Sequence, residues 1–289
     1  MRYVIAVGGN ALKNSKVLNK LSAYIARLSG LGNEIVVTHG NGPQVGKLAL
    51  HNDGNLALLT KETEAEIGSM IRKSIARANR KLGSSTKIVY TRVLVDKNDP
   101  NFKNPTKPIG RFYSRAEAEK LAERGFVMKP LLKGYRRVVA SPKPLAILDV
   151  AEVRRLLKEA GIVIAAGGGG IAVARSGNRL RYMDAVIDKD LASSLLAVKL
   201  RADRFVILTD VDGVVLGYHT GRSRLLRRVS APALMAYAIT EHFEAGSMLP
   251  KVMACIGFVR RTHGRAAIGN LNKADRVLSL RDATVVTPG

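Results

Sequence analysis

"YVIAVGGN" (Tyr3–Asn10) is a short apolar run that ends on a glycine turn, and how it is read decides the fold. Its Val and Ile residues do not alternate with polar ones, so a strand here must be covered on both faces, as strands of parallel sheets are. Working outward, "IVVTHGNG" (Ile35–Gly42) and "IVIAAGGGG" (Ile162–Gly170) repeat the same strand-then-glycine pattern. We predict strands near 3–7, 34–38, 87–93, 162–166, 204–209, 265–268 and 284–286. Apolar residues at helical period predict helices near 15–29, 43–51, 62–82, 149–160, 190–201, 230–241 and 249–262. Strands alternating with helices predict an α/β fold, a three-layer αβα sandwich around a mainly parallel central sheet. "IAVARSGNRLRYM" predicts a hairpin that turns at Ser176-Gly177-Asn178.

The rhythm breaks between Val95 and Val139. "DKNDPNFKNPTKPIGRFY" holds three prolines and three asparagines, which exclude long regular structure. Such excursions from a compact domain are uncommon and often functional. A small protruding subdomain at about 95–139, on a single domain spanning 1–289, is the expectation.

Composition narrows the function classes. With 46% hydrophobic and 24% charged residues the chain has an ordinary globular balance, so a disordered or low-complexity protein is excluded. Cys255 is the single cysteine, which rules out an internal disulfide and a thiolate metal site and points to a reducing cytoplasm. No apolar run reaches the length of about 18 residues that a membrane helix needs. The net charge of +24 would suit a nucleic-acid partner, but aromatics are only 5%, tryptophan is absent, and there is no zinc-finger spacing. Its basic residues are dispersed; the densest run, Lys73, Arg77 and Lys81, follows Glu62, Glu64 and Glu66 along one helix in the order the helix dipole favours. A solvated surface is therefore expected, and a nucleic-acid partner is not.

Three glycine turns carry the chemistry: Gly8-Gly9-Asn10, Gly40-Asn41-Gly42 and Gly167–Gly170, in which Gly168 and Gly169 are candidate substrate donors. Glycine after a strand lets backbone N–H groups close on an anion. "GPQVGKL" is too short between its glycines for a phosphate-binding Walker loop and lacks the Ser/Thr that would hold magnesium; "GNGPQVG" misplaces the last glycine of a dinucleotide fingerprint. Three lysines sit in constrained places: Lys107 between Pro105 and Pro108, Lys251 after Gly246-Ser247-Met248, and Lys189 between Asp188 and Asp190 at a helix start. Anion-ready turns together with such lysines suit phosphoryl transfer, which rests on positioning and charge neutralisation. Asp188 is expected to cap the helix and Asp190 to favour its first turn. The five histidines show no metal-ligand spacing, so no protein-held metal is expected; His39 reads as a packing residue and Cys255 as a buried inert thiol.

"VIAVGGNAL", "VVTHGNGPQVG", "NPTKPIGRFY", "GYRRVVASPKP", "AAGGGGIAV", "AVIDKDLAS", "ADRFVILTDVDGV" and "HFEAGSMLPKV" occur in the order in which similar blocks occur in carbamate kinases of the amino-acid-kinase superfamily. The resemblance spans nearly the whole chain. It implies an eight-stranded, largely parallel sheet, a cytoplasmic homodimer, and reversible phosphoryl transfer between ATP, carried with Mg2+, and carbamate, giving ADP and carbamoyl phosphate. The acceptor would lie against residues 1–185 and the nucleotide against 186–289. By the same resemblance Lys107 reaches the transferring phosphoryl group and carbamate, while Lys189 and Lys251 neutralise the phosphates and Asp190 orients the lysines. Gly8, Gly9, Asn10, Gly40, Asn41 and Gly42 line the acceptor end; Thr209, Asp210, Gly246, Ser247 and Met248 lie near the nucleotide. Arg111 and Ala172 stand where the family usually has proline, and Leu249 and Ala283 where it usually has glycine. The segments after Asn10 and between Asp53 and Ile67 look shortened. The alternatives are another kinase of the superfamily with a different small anionic acceptor, and a noncatalytic, basic nucleotide- or nucleic-acid-binding protein on this fold.

Overall fold

The computed structural model describes residues 1–9, 12, 14–51, 54–217, 223–240, 243 and 246–289. Asn10 and Asp53, named above, lie outside them, as do two of the five histidines, His219 and His242. The first half of the chain runs β1 (Arg2–Val7), α1 (Ser15–Gly30), β2 (Glu34–His39), α2 (Gly42–His51), α3 (Leu56–Ala78), α4 (Arg80–Ser85), β3 (Lys87–Val89), β4 (Arg92–Leu94), β5 (Lys107–Tyr113), α5 (Arg115–Glu123), β6 (Met128–Leu131), β7 (Gly134–Val139) and β8 (Ala146–Ile147). The second half runs α6 (Val150–Ala160), β9 (Ile162–Ala165), β10 (Ile171–Ser176), β11 (Arg179–Tyr182), α7 (Lys189–Leu200), β12 (Arg204–Thr209), β13 (Val215–Leu216), β14 (Arg224–Leu225), β15 (Arg228–Ser230), α8 (Ala231–Thr240), α9 (Met248–Thr262), β16 (Arg265–Asn270), α10 (Ala274–Leu278) and β17 (Ala283–Thr287).

Eight strands form the central sheet in the order β15-β17-β16-β12-β1-β2-β9-β3. Among them only β16 and β17 pair antiparallel. The apolar run that opened the sequence is at its centre, and the pleat explains why it does not alternate. Val4 and Ala6 face one core with Leu196, Val252 and Phe258, and Ile5 and Val7 face the other with Leu21, Ile25 and Ile71. Helices α6, α7 and α9 thus supply one layer, and α1, α3 and α10 the other. Burying Ile5 or Phe205 completely contributes about 1.5–3 kcal/mol each.

The structure departs from two sequence expectations. The strand expected at 87–93 is two strands: β3 belongs to the central sheet, and β4 joins a second sheet ordered β11-β10-β4-β8. Thr91 sits at the break, its hydroxyl donating to Val89 O (3.0 Å) and accepting from Ala166 N (2.8 Å), so the chain leaves one sheet for the other. The helix expected at 62–82 starts earlier, because Asn55 caps Ala57 N and the Asp184 carboxylate accepts from Leu56 N at 2.9 Å. It also ends earlier, at Asn79, whose side chain caps α4. The hairpin forms as expected, with Ser176 opposite Arg179. Within the proline-rich excursion, β5, β7 and β6 make their own antiparallel sheet, with α5 held by a capping box between Ser114 and Glu117. No described helix is long and apolar enough to cross a membrane.

Candidate active site

At the C-terminal ends of β1, β2 and β9 the three glycine turns meet, the place where open parallel sheets bind ligands. They are packed backbone to backbone. A Cβ on Gly40 would stand 2.9 Å from Gly9 N, and one on Gly168 would overlap the side-chain amide of Asn41. Gly168 also has φ +64, a conformation that L side chains resist. Gly40 is therefore required by close approach, and Gly168 by close approach and turn geometry together.

A cleft of about 710 Å³ opens in front of them. Gly8, Gly9, Gly40, Asn41, Gly42 and Gly168 line it, and so do Thr209, Asp210, Gly246 and Ser247. Lys107, Lys189, Asp190 and Lys251 line it as well. Two residues expected at the site do not line it. Gly169 is buried behind the turn, where a Cβ would strike Ile187 O, and Met248 packs against the apolar core as α9 begins.

The charged groups are ordered by the start of α7. Asp188 caps that helix through Oδ1, which accepts from Asp190 N at 2.9 Å and Leu191 N at 3.1 Å. Its other oxygen lies 2.5 Å from Lys107 Nζ, on β5. Asp190 is 3% exposed and stands between two ammoniums: Lys189 Nζ is 2.8 Å from Oδ1 and Lys251 Nζ 3.1 Å from Oδ2. Lys251 lies one turn into α9 and donates also to Ser247 O at 3.2 Å. Burial pushes the Asp190 carboxyl up, but the two lysines outweigh it and hold the group far below the usual carboxylate range. Burial pulls the Lys189 ammonium down, against Asp190. The same burial acts on Lys251, where Asp190 wins and the pKa is raised. Lys107, Lys189, Lys251, Arg111 and Arg136 line the cleft with Asp188, Asp190 and Asp210, so it keeps an excess of positive charge for an anion.

Two features were not foreseen. The Asp188–Lys107 pair joins residues 81 apart in sequence, and spacing carries no sign of it. Arg136, on β7, also lines the cleft; its Nη2 donates to Gly110 O at 2.9 Å and its guanidinium stacks 5.4 Å from the Phe112 ring centroid. The arginine pair in "GYRRVV" was the available signal. Two further titratable groups are buried. His39 is fully buried, which lowers its pKa to about 4, and it is a neutral packing residue. Burial raises the Cys255 thiol far above its ordinary range, leaving it unreactive. Among the described residues no three His, Cys, Asp or Glu side chains gather to hold a metal ion.

Comparison with known proteins places this geometry. Residues 1–270 match the model of the amino acid kinase family. The chain is similar to carbamate kinase of Pyrococcus horikoshii, 41% identical over 99% of both chains. It superposes on carbamate kinase of Giardia lamblia bound to citric acid with a TM-score of 0.92, 33% identical over 100% of this chain and 98% of that one. For the Giardia enzyme bound to AMP-PNP the TM-score is 0.86, at the same identity and coverage.

Proposed function

The chain belongs to the amino acid kinase family, among its carbamate kinases, and we propose that three lysines ordered by two aspartates carry its phosphoryl transfer. It is an ATP-dependent phosphotransferase that interconverts ATP and carbamate with ADP and carbamoyl phosphate. The observation that carries the division of labour is Asp190, which holds Lys189 and Lys251 on its two oxygens, both of them residues that line the cleft.

Carbamate is already an oxygen anion, so no general base is needed, which agrees with a buried, neutral His39. In the forward direction a carbamate oxygen bonds to the γ-phosphorus as the bond to the β-phosphate oxygen of ADP breaks; no proton moves. The barrier is repulsion between anions, and fixed cations lower it without reorganising. Lys107, delivered on β5, meets the transferring phosphoryl group; Lys189 and Lys251 neutralise the nucleotide phosphates and the charge that develops between the reactants. The glycine turns that follow β1, β2 and β9 border the acceptor, the Gly8 and Gly40 N–H groups themselves being spent on Leu208 O and Val7 O, and Thr209, Asp210, Gly246 and Ser247 bound the nucleotide end. Arg136 adds a further cation. Mg2+ enters as part of the nucleotide substrate, held by phosphate oxygens and water, which suits a cleft whose two buried carboxylates are engaged by lysines.

On this reading the enzyme is a cytoplasmic homodimer, which light scattering tests; a monomer mass contradicts it. The chemistry is tested by supplying MgADP and carbamoyl phosphate and following ATP. Formation of ATP well above a no-enzyme control is expected. Folded, nucleotide-binding protein that makes none overturns the reading.

A further inference from the structure

Two consecutive buried residues in the middle of α3, Thr63 and Glu64, hold two of the glycine turns from behind. Thr63 is 0% exposed and Glu64 1%. The Thr63 hydroxyl lies 2.9 Å from Thr60 O and 3.1 Å from Leu59 O, so its proton is spent within its own helix and its lone pairs are free. One of them accepts from Asn41 Nδ2 at 2.9 Å. Glu64 Oε1 accepts from Gly167 N at 2.9 Å, and Oε2 from Thr91 N at 3.4 Å. Thr91 in turn accepts from Ala166 N. The successive amides of Ala166 and Gly167 are thus both fixed by side chains from outside their own turn.

The packing leaves no slack between these parts. A Cβ on Gly167 would overlap His39 Nε2 and come within 2.8 Å of Glu64 Cγ, while Gly168 is pressed against the very amide that Thr63 holds. Asn41 and Gly168 both line the cleft, and Thr63 and Glu64 do not. A buried polar network that is fully connected specifies one arrangement of the backbone it holds.

We propose that Thr63 and Glu64 form a clamp that sets the spacing between the Gly40–Gly42 and Gly167–Gly170 turns, and so positions the backbone donors that bind the acceptor. Both are positioning residues, since neither touches substrate. The inference rests on the assignment of those turns to the acceptor end. Burial pushes the Glu64 carboxyl well above its usual range, against the pull of its two amide donors. Both of its oxygens serve as acceptors, Oε1 for Gly167 N and Oε2, at the longer contact, for Thr91 N. Glutamine has the same shape and keeps one acceptor oxygen for Gly167 N, whereas leucine offers none.

The test is steady-state kinetics of ATP formation from MgADP and carbamoyl phosphate with Thr63→Val, Glu64→Gln and Glu64→Leu, each checked for folding by circular dichroism. Thr63→Val and Glu64→Leu are expected to raise KM for carbamoyl phosphate roughly tenfold while KM for ADP changes less than about twofold. Glu64→Gln is expected to stay within about threefold of wild type on both. Equal changes in the two KM values, a change confined to ADP, or unchanged kinetics in folded Thr63→Val and Glu64→Leu each overturn the clamp. Wild-type protein that forms no ATP overturns the functional reading instead, so the two failures are told apart. If Glu64→Leu does not fold, Thr63→Val decides alone.

Discussion

Asp188 holds Lys107 Nζ at 2.5 Å with one carboxylate oxygen while the other caps α7, so a single side chain ties the strand that carries one lysine to the helix that carries the next. The two functions can be separated. Asparagine caps a helix as well as aspartate but carries no charge for Lys107. Asp188→Asn is expected to lower kcat/KM roughly ten- to hundredfold with a stability change under about 1 kcal/mol. Asp188→Ala should lose about 1 kcal/mol more, read by urea unfolding. Equal activity in Asp188→Asn and wild type contradicts the pairing.

Asp190 is a counter-ion shared by two lysines. Asp190→Asn leaves two ammoniums uncompensated, Lys189 among buried atoms, and should cost about 3–5 kcal/mol of stability as well as nearly all turnover. Urea titration of the purified variant measures the first and the coupled ATP assay the second. A variant as stable as wild type shows that the lysines are solvated instead.

Gly46 of α2 and Gly110 of β5 touch backbone to backbone, and a Cβ on Gly46 would overlap Gly110 N and Cα. Gly46→Ala must therefore push β5 away from α2 and carry Lys107 with it. Misplacement by about 1 Å costs on the order of a hundredfold in rate, so kcat/KM should fall by that order while circular dichroism stays native. Full turnover by Gly46→Ala removes the case that this contact positions Lys107.

His39 gives a pH dependence with a definite sign. Its folded pKa, about 4, lies below the ordinary imidazole value of 6.5, so below pH 6.5 the unfolded chain binds a proton that the folded one refuses. Stability from this group is full above pH 6.5, falls as pH drops towards 4, and amounts to about 3 kcal/mol across that window. The stability difference between wild type and His39→Gln should shrink by about that amount between pH 7 and 4. A difference independent of pH contradicts a buried neutral imidazole. Glu64 acts with the opposite sign, because its raised folded pKa makes its contribution fall as pH rises above 4.5; comparing wild type with His39→Gln cancels it.

Much of the sheet is legible in the sequence because its signals are local. Val4 to Val7 and Ile162 to Ala165 read as strands on composition alone, and each meets its glycine turn within a residue or two. Features that depend on distant partners are not legible. The early start of α3 needs Asp184, 128 residues away from Leu56, and the break between β3 and β4 needs Thr91 to meet Ala166. At the site, the three lysines stand out because prolines, glycines and aspartates constrain them, and the structure brings them to one cleft. That Asp188 serves Lys107 could not be read, since its cap position accounts for the residue fully at the level of the helix. Glu64 reads as one acid in a charged face; only the register of α3 turns it inward.

The most direct test of the central claim is the rate of ATP formation from MgADP and carbamoyl phosphate by Lys107→Ala, at saturating substrates, beside wild type. With the cation at the transferring phosphoryl group removed, kcat should fall by about two to three orders of magnitude while ADP affinity is retained. A folded Lys107→Ala enzyme that turns over at the wild-type rate contradicts the claim that the lysine on β5 takes part in the transfer.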